Sequence, residues 1–322
     1  MFCIGALTTL LLLTITVLPF APSDHWSVRV WEFPRVQIAS LLAVNIAFIC
    51  VLYVFGHEYW LWYVVLLIIN SACLVFQLYW IAPYTPFFRP EVEKVSVDSQ
   101  QTLVILTSNV LMHNQQPEKL LAHVERVKPD VLVTLETNQW WQDQLSTLHI
   151  DYPHRVPVPL DNLYGMHVYS KLQLEDVQVR ELIEKGVPSV TCKLIDSKGH
   201  AIHAFFLHPA PPSPSENEQA KERDCELRLV ACEVQSLTGP VIVTGDLNDV
   251  AWSPTTRDFR QLTGLKDPRI GRGMFNTFHA DYSLVRWPLD HIFHSEHFKL
   301  VEIKRLDHIG SDHFPLLSIL TY

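Results

Sequence analysis

No CxxC pair, no HExxH segment and no glycine-rich phosphate loop occurs in the 322 residues. Each absence removes a class of chemistry. Of the six cysteines, Cys3, Cys50 and Cys73 sit in apolar runs, while Cys192, Cys225 and Cys232 are scattered. That spacing excludes a disulfide framework and a cysteine zinc site, and it fits a reducing compartment. The 16 histidines show no clustered spacing that would build a histidine zinc centre. Many of them (His113, His123, His149, His154, His294 and His297) lie in polar stretches and read as exposed surface. A basic face is missing as well: 25 Lys and Arg stand against 34 Asp and Glu, for a net charge of −9. A protein that grips long nucleic acid by its phosphates usually carries the opposite balance. The one candidate basic patch is Arg257, Arg260, Lys266, Arg269 and Arg272.

Charge is scarcest near the N-terminus. Phe2 to Phe20 has none, Val36 to Phe55 is interrupted only by Gln37, Ser40 and Asn45, and Tyr59 to Ala82 forms a third uncharged run. These runs account for an apolar fraction of 48% and a mean hydropathy of +0.12. Each is roughly 20 residues, the length a helix needs to cross a hydrocarbon core of ~30 Å. Three membrane spans over residues 1–82 are therefore expected. The first run has no basic residue ahead of it, which separates it from a cleavable leader. Trp60, Trp62, Tyr63, Tyr79 and Trp80 near the ends of the third run fit an interfacial aromatic belt. Arg29 and Arg35, then Arg89 and Lys94, fall on the side that carries the remainder of the chain, and the other side has no Lys or Arg. By the positive-inside rule the C-terminal part is cytoplasmic and the protein is integral to the cell (inner) membrane, with a periplasmic or extracellular placement as the alternative.

Residues 83–101, "PYTPFFRPEVEKVSVDSQQ", read as a Pro-rich, then polar, linker. From Thr102 onward short apolar runs alternate with helical periodicity. "TLVILTS", "VLVTL", "MHVYSK", "SVTCKLI", "AIHAFFLH", "PVIVTGD" and "LDHIFHS" are strand candidates, rich in β-branched and aromatic residues. Leu120, Leu121, Val124 and Val127 share one helical face behind Pro117, and a longer helix is expected over Glu216 to Leu237. The pattern predicts one α/β domain over residues 102–322, with sheets packed on each other and helices outside.

Polar residues recur at the ends of these runs. Asn109 follows "LVILTS", Glu136 follows "VLVTL", His208 follows "AIHAFFL", and Asp246 and Asn248 follow "VIVTG". Asp290 precedes "HIF", and Asp312 and His313 precede "FPLLSIL". Singly, each is an ordinary turn or capping residue. Together they place hard oxygen ligands and histidines on one rim, which suits Mg²⁺ or Mn²⁺ and the hydrolysis of a phosphate ester by water.

In this order, "TSNVL", "LETNQWW", "HPAPP", "VTGDLND", "PLDHIF" and "GSDHFPL" resemble the endonuclease/exonuclease/phosphatase (DNase I-like) superfamily, in a membrane-anchored bacterial form. The resemblance runs from about Thr102 to the C-terminus and implies a DNase I-like four-layer α/β sandwich. It also implies a divalent metal held by Asn109, Glu136 and Asp312, with catalytic roles for His208, Asp246, Asn248, Asp290 and His313. In it, Asp290 orients His313, and either His313 or Asp246 takes the proton of the attacking water. His291 should turn the other way along its strand, and Asp307 and His308 read as solvated bystanders. The activity implied is metal-assisted in-line hydrolysis of a phosphoester, whose substrate could be a phospholipid, a sphingolipid or nucleic acid. The competing reading is a non-catalytic membrane-bound module that kept the fold. Such a module should have lost site residues, and every one of these positions is filled.

Overall fold

The computed structural model describes every residue except Gly56 and residues 97–100, and also omits the side chain of His57. The uncharged N-terminal runs form α1 (Phe2–Val17), then, after the short α2 (Trp26–Arg29), α3 (Arg35–Phe55) and α4 (Trp60–Ile81). With their terminal 3₁₀ turns, three helices are long and apolar enough to cross a membrane. A helix satisfies its interior backbone donors within itself, the requirement that hydrocarbon would impose on such runs. Their few buried polar side chains face one another. Asn45 donates to Thr9 and Asn70 at 3.0 Å each, and Asn70 donates to Thr9 at 2.7 Å. Nearer the domain, Gln77 donates to Thr16 at 3.1 Å and accepts from Arg35 at 3.0 Å.

The rest is a layered sandwich. One sheet combines β1 (Thr102–Asn109), β2 (Val131–Leu135), β3 (His154–Val158), β4 (Met166–Ser170), β10 (Lys299–Arg305) and β11 (Leu316–Thr321), in the order β10-β11-β1-β2-β4-β3. The other runs β5 (Gln173–Arg180), β6 (Ser189–Ile195), β7 (Ala201–Leu207), β8 (Val241–Asp246) and β9 (Asp290–His294) in sequence order. Their inner faces share a core that includes Ile105, Val133, Val168, Ala204, Phe206 and Ile242. Helices α5 (Pro117–Val127) and α6 (Gln139–Gln144) cover the first sheet, and α7 (Lys221–Gln235) and α8 (Pro254–Thr263) cover the second. The long helix thus starts five residues later than the periodicity suggests: the chain from Glu216 to Ala220 is drawn into backbone pairing with Asp24 and Trp26.

Within each sheet the central pair, β1 with β2 and β7 with β8, is parallel, and an antiparallel strand flanks it on either side. The two pairs face each other, with Thr107 and Thr244 in hydrogen-bond contact at 2.8 Å. Four C-terminal strand ends therefore open on one rim, where the first residue of β9 also lies.

The apolar helices do not hang free of the sandwich. Ala39, Ile81 and Tyr84 pack with Val250, Ala251, Trp252, Ile270 and Leu289 in one buried cluster. The segment between the first two spans is pinned where Trp252 donates to the Glu32 carbonyl at 2.9 Å and Arg29 donates to Thr255 at 3.0 Å. The stretch expected to be a linker is also seated over its described part. Val92 is buried in the sandwich core, Gly271 donates to the Pro83 carbonyl at 2.8 Å, Val95 donates to the Leu300 carbonyl at 2.9 Å, and Leu300 donates to the Glu93 carbonyl at 2.9 Å. Residues 97–100 of that stretch lie outside the described residues.

Several surface expectations are corrected. His123 and His294 are buried, not exposed. His123 reaches from α5 to the Asp307 carbonyl at 2.9 Å, and His294 ends β9 with its ring bonded to the Ser295 carbonyl at 2.9 Å. The suspected basic patch is dispersed. Arg269 is fully buried against Asp267, Arg260 pairs with Glu91, and Arg272 donates to backbone carbonyls at Val92 and Pro268. His308 is half-buried and bonds the Ser311 carbonyl at 2.7 Å, whereas Asp307 is exposed.

Candidate active site

Asn109 ends β1, buried, and its amide donates to Glu136 Oε1 at 2.8 Å and to Asp246 Oδ2 at 3.1 Å. One amide thus ties the two sheets together at the rim. Glu136, the first residue past β2, holds φ at +59°, a left-handed conformation that a non-glycine residue adopts at a cost. Asn248 shows the same left-handed backbone at +50° beyond β8, with its amide nitrogen donating to the Pro209 carbonyl at 3.0 Å. Such strain persists only where the surroundings enforce it, and both residues border one cavity of about 340 Å³.

Asp246 closes β8 directly after Gly245. A Cβ at Gly245 would stand 1.9 Å from the Leu207 carbonyl oxygen, so only glycine lets β7 and β8 approach closely enough here. The Asp246 carboxylate accepts from the Asn248 backbone at 2.9 Å, and its Oδ2 lies 3.4 Å from His313 Nε2 and 3.9 Å from His208 Nε2. Across β8 and β9 Asp246 is paired with Asp290, whose Oδ2 is 2.8 Å from His313 Nδ1. His313 is thereby clasped by a carboxylate at each ring nitrogen. His291, next along β9, turns away and is buried with Arg269 at 2.7 Å and the Asp249 carbonyl at 2.8 Å, as strand alternation requires. Asp312 lines the same cavity as Glu136 and accepts from Ser311 at 3.3 Å.

Burial and neighbouring charge set the protonation states. Burial alone would pull the His313 imidazole down, but the carboxylates of Asp246 and Asp290 outweigh it and hold it up to about 10. Burial would raise Asp246, yet the imidazoles of His313 and His208 keep it below the usual carboxylate range. His208 has no such clasp, and burial takes it down to about 4. Glu136 is pushed up to about 7, chiefly by burial.

Glu136 also supplies the test for a cation. Its Oε2 is buried without a hydrogen-bond partner, and no Lys or Arg lines the cavity among the described residues. An unpartnered carboxylate oxygen beside Asn109 and Asp312, with no Lys or Arg facing it, fits a hard divalent ion. Asp246, Asp290 and His313 also offer ligand atoms within 4.8 Å of one another. Both nitrogens of His313 already face carboxylates, so that trio reads better as a hydrogen-bonded chain than as a metal cage.

All eight residues singled out by sequence thus converge on this rim. Others were not legible. Ser311, inside "GSDH", donates to the Asn109 carbonyl at 2.8 Å and accepts from the His313 backbone at 3.0 Å, so it fixes both arms of the site. Tyr164 packs its ring 5.3 Å from His208 and donates to Glu216. The Phe278 ring lies 5.0 Å from that of His313, tilted by 49°. Val30 and Phe33, from the segment between the first two spans, form part of the cavity wall. A Ser beside a site Asp is a signal that could have been read, but nothing in the local sequence of the other four marks them.

Two helix-covered sheets that place buried carboxylates, an amide and two histidines at the ends of their central strands define a hydrolytic α/β sandwich of the DNase I type. The model of the endonuclease/exonuclease/phosphatase family matches residues 106–313, and the chain belongs to that family, whose members cleave phosphoric ester bonds. No curated protein sequence matches the chain. Among solved structures it is similar to the human nocturnin catalytic domain with bound sulfate (16% identity, TM-score 0.56, covering 70% of this chain and 96% of that one). It is likewise similar to D. rerio TDP2 complexed with single-strand DNA product (16% identity, TM-score 0.55, 70% and 100%). The third is an endonuclease/exonuclease/phosphatase from Bacteroides vulgatus (17% identity, TM-score 0.55, 69% and 99%). At these identities the likeness carries the fold.

Proposed function

We propose that the chain is a membrane-anchored, divalent-metal-dependent phosphoester hydrolase, anchored through the three apolar helices. The observation that carries this reading is the unpartnered Oε2 of Glu136, a residue that lines one cavity with Asp246, His208 and His313. Asn109, Glu136 and Asp312 would hold Mg²⁺ or Mn²⁺. Bound there, the ion supplies Lewis-acid stabilisation of negative charge on a phosphoryl oxygen. The remaining steps belong to the side chains. His313, with a carboxylate at each ring nitrogen, acts as a hydrogen-bond donor and charge stabiliser toward the phosphoryl group. Asp290 is a positioning residue that fixes the His313 ring. His208 contacts the phosphoryl group from the other side of Asp246. Asp246, its carboxylate between two imidazoles, is the group left to accept the proton of the attacking water, and Asn248 orients that water. The basic residues beside the spans favour a cytoplasmic domain in the inner membrane.

The test uses the full chain in detergent with a soluble diester, bis(p-nitrophenyl) phosphate. Hydrolysis should require Mg²⁺ or Mn²⁺, stop with chelator, and fall by about 10³-fold in Asp246→Ala and in His313→Ala. Unchanged turnover in both variants would remove this assignment of the site.

A further inference from the structure

The cavity over the candidate site is walled partly by the membrane region itself. Phe33 and Val30 lie two and five residues before the first residue of α3, and both line the cavity opposite His313 and Asp246. The segment carrying them is fixed rather than loose: Trp252 and Thr255 hold it through Glu32 and Arg29, and the Phe33 ring meets the Trp287 ring edge-on at 5.8 Å. Trp287 is itself a lining residue and belongs to the chain between α8 and β9. That stretch turns its tip outward, with Leu284 83% and Tyr282 61% exposed. The Leu284 carbonyl accepts from Gln37, in the first turn of α3, at 2.8 Å. The exposed apolar tip and the mouth of the cavity therefore sit at the level where the span begins, which is the lipid headgroup region.

Electrostatics point the same way. A polynucleotide presents further phosphates on either side of the scissile one, and proteins that hold it supply Lys and Arg along its track. No Lys or Arg lines this cavity among the described residues, and in and after α8 Arg260 is bound to Glu91, Arg269 to Asp267 and Arg272 to backbone carbonyls. Apart from the site residues its lining is instead mainly apolar, with Tyr164 and Glu216 as the polar members. That combination suits a single phosphoryl group attached to an apolar body.

We propose that the substrate is a lipid phosphoester drawn from the leaflet that faces the domain, its phosphoryl group over Asp246 and His313 and its chains leaving past Val30 and Phe33 along the spans. This rests on the hydrolase reading of the same site and names its substrate class. In the reaction, water oxygen forms the new P–O bond, one ester P–O bond breaks, and the released alcohol takes up a proton.

The experiment places the full chain in nanodiscs with Mg²⁺ and compares phosphatidylethanolamine, phosphatidic acid and sphingomyelin in the bilayer with a single-stranded oligonucleotide and with bis(p-nitrophenyl) phosphate. One of the bilayer lipids should be turned over faster than the oligonucleotide, and the identity of that lipid fixes the headgroup. Val30→Asp should lower the ratio of lipid to soluble turnover by about tenfold or more. Leu284→Asp, at an exposed position where folding is little affected, should lower the same ratio. Preference for the oligonucleotide, or soluble turnover without any lipid turnover, would overturn the proposal while leaving the hydrolase reading intact. A ratio unchanged in both variants would overturn it as well. No turnover of any of these substrates by the wild-type chain would remove the hydrolase reading, and this proposal with it.

Discussion

Both halves of the molecule bury polar side chains, and they treat them differently. In the span bundle Thr9, Asn45 and Asn70 bond one another, as do Thr16, Gln77 and Arg35. In the cleft Glu136 Oε2, Asp290 Oδ1 and His208 Nδ1 are buried without partners, and two neighbouring backbones are left-handed. A buried polar group without a partner costs about 1–3 kcal/mol, so a fold keeps several together only where something else is gained. The contrast separates glue from site: mutually bonded polar groups hold the helices together, while the cleft gathers three unpartnered atoms in one site, unlike the scattered ones elsewhere, such as Arg35 Nε and both nitrogens of His167.

The sharpest break of that contrast lies in the cleft. Asp246→Asn keeps the shape and the acceptor for Asn248 but removes the charge between the two imidazoles, so hydrolysis of a soluble diester should fall about 10³-fold. Stability should change by no more than about 1 kcal/mol in chemical unfolding, because functional sites are not optimised for it. Next in size is Gly245→Ala. Its Cβ would meet the Leu207 carbonyl at 1.9 Å, with φ at +151°. The pair β7 and β8 would have to separate, costing roughly 3 kcal/mol or more, and turnover should fall with it because Asp246 is re-aimed. A variant with wild-type turnover and stability would show that this close approach is not what sets the rim.

These residues were legible in the sequence because a strand buried on both faces reads as an apolar run, and the first polar residue past it stands at the rim. Glu136 after "VLVTL" and Asp246 after "VIVTG" are of this kind. The strands that escaped notice, β3, β5 and β10, are all sheet edges. Edge strands carry charge and proline to prevent pairing with other chains, as "HRVPV", "QLEDVQVR" and "KLVEIKR" do, and the apolar signal is diluted. Buried polar residues outside the site, such as Arg269 and His294, are illegible for the converse reason. Their burial depends on partners brought in by tertiary contacts, Asp267 with His291 for one and Phe298 for the other. The walls of the cavity were invisible too, since Val30 and Phe33 owe their place to docking of the membrane segment and not to their neighbours in sequence.

Glu32 lies on the seam between the two halves and sharpens the comparison by pH. It is 1% exposed, and burial, opposed by Arg29 and Arg35 and reinforced by Asp249, pushes its carboxyl from an ordinary 4.5 up to about 7. The folded state therefore holds a proton that the unfolded chain has already released, and stability falls as pH rises from 4.5 through about 7. The full penalty above that range is on the order of 3 kcal/mol at most. Glu32→Gln should accordingly raise the thermal midpoint of the full chain at pH ~8 and leave it unchanged at pH ~4. An equal gain at both values would mean that ionisation of Glu32 is not what loosens the seam.

The smallest effect belongs to the bundle. Asn70→Leu removes bonds to Thr9 and Asn45 within an apolar environment, where interhelical polar contacts average about 0.6 kcal/mol and reach about 2. Leucine fills a similar volume and needs no partner, so the loss comes mainly from Thr9 and Asn45, which must turn to each other or to backbone carbonyls. Thr9 already donates to the Gly5 carbonyl at 2.8 Å, and Asn45 keeps its bond to Thr9. Stability should fall by about 1 kcal/mol or less, read from unfolding in a detergent series, while turnover of a soluble diester stays at the wild-type rate. If Asn70→Leu silenced hydrolysis as Asp246→Asn does, the polar groups of the spans would belong to the chemistry, and the division between glue and site would have to be redrawn.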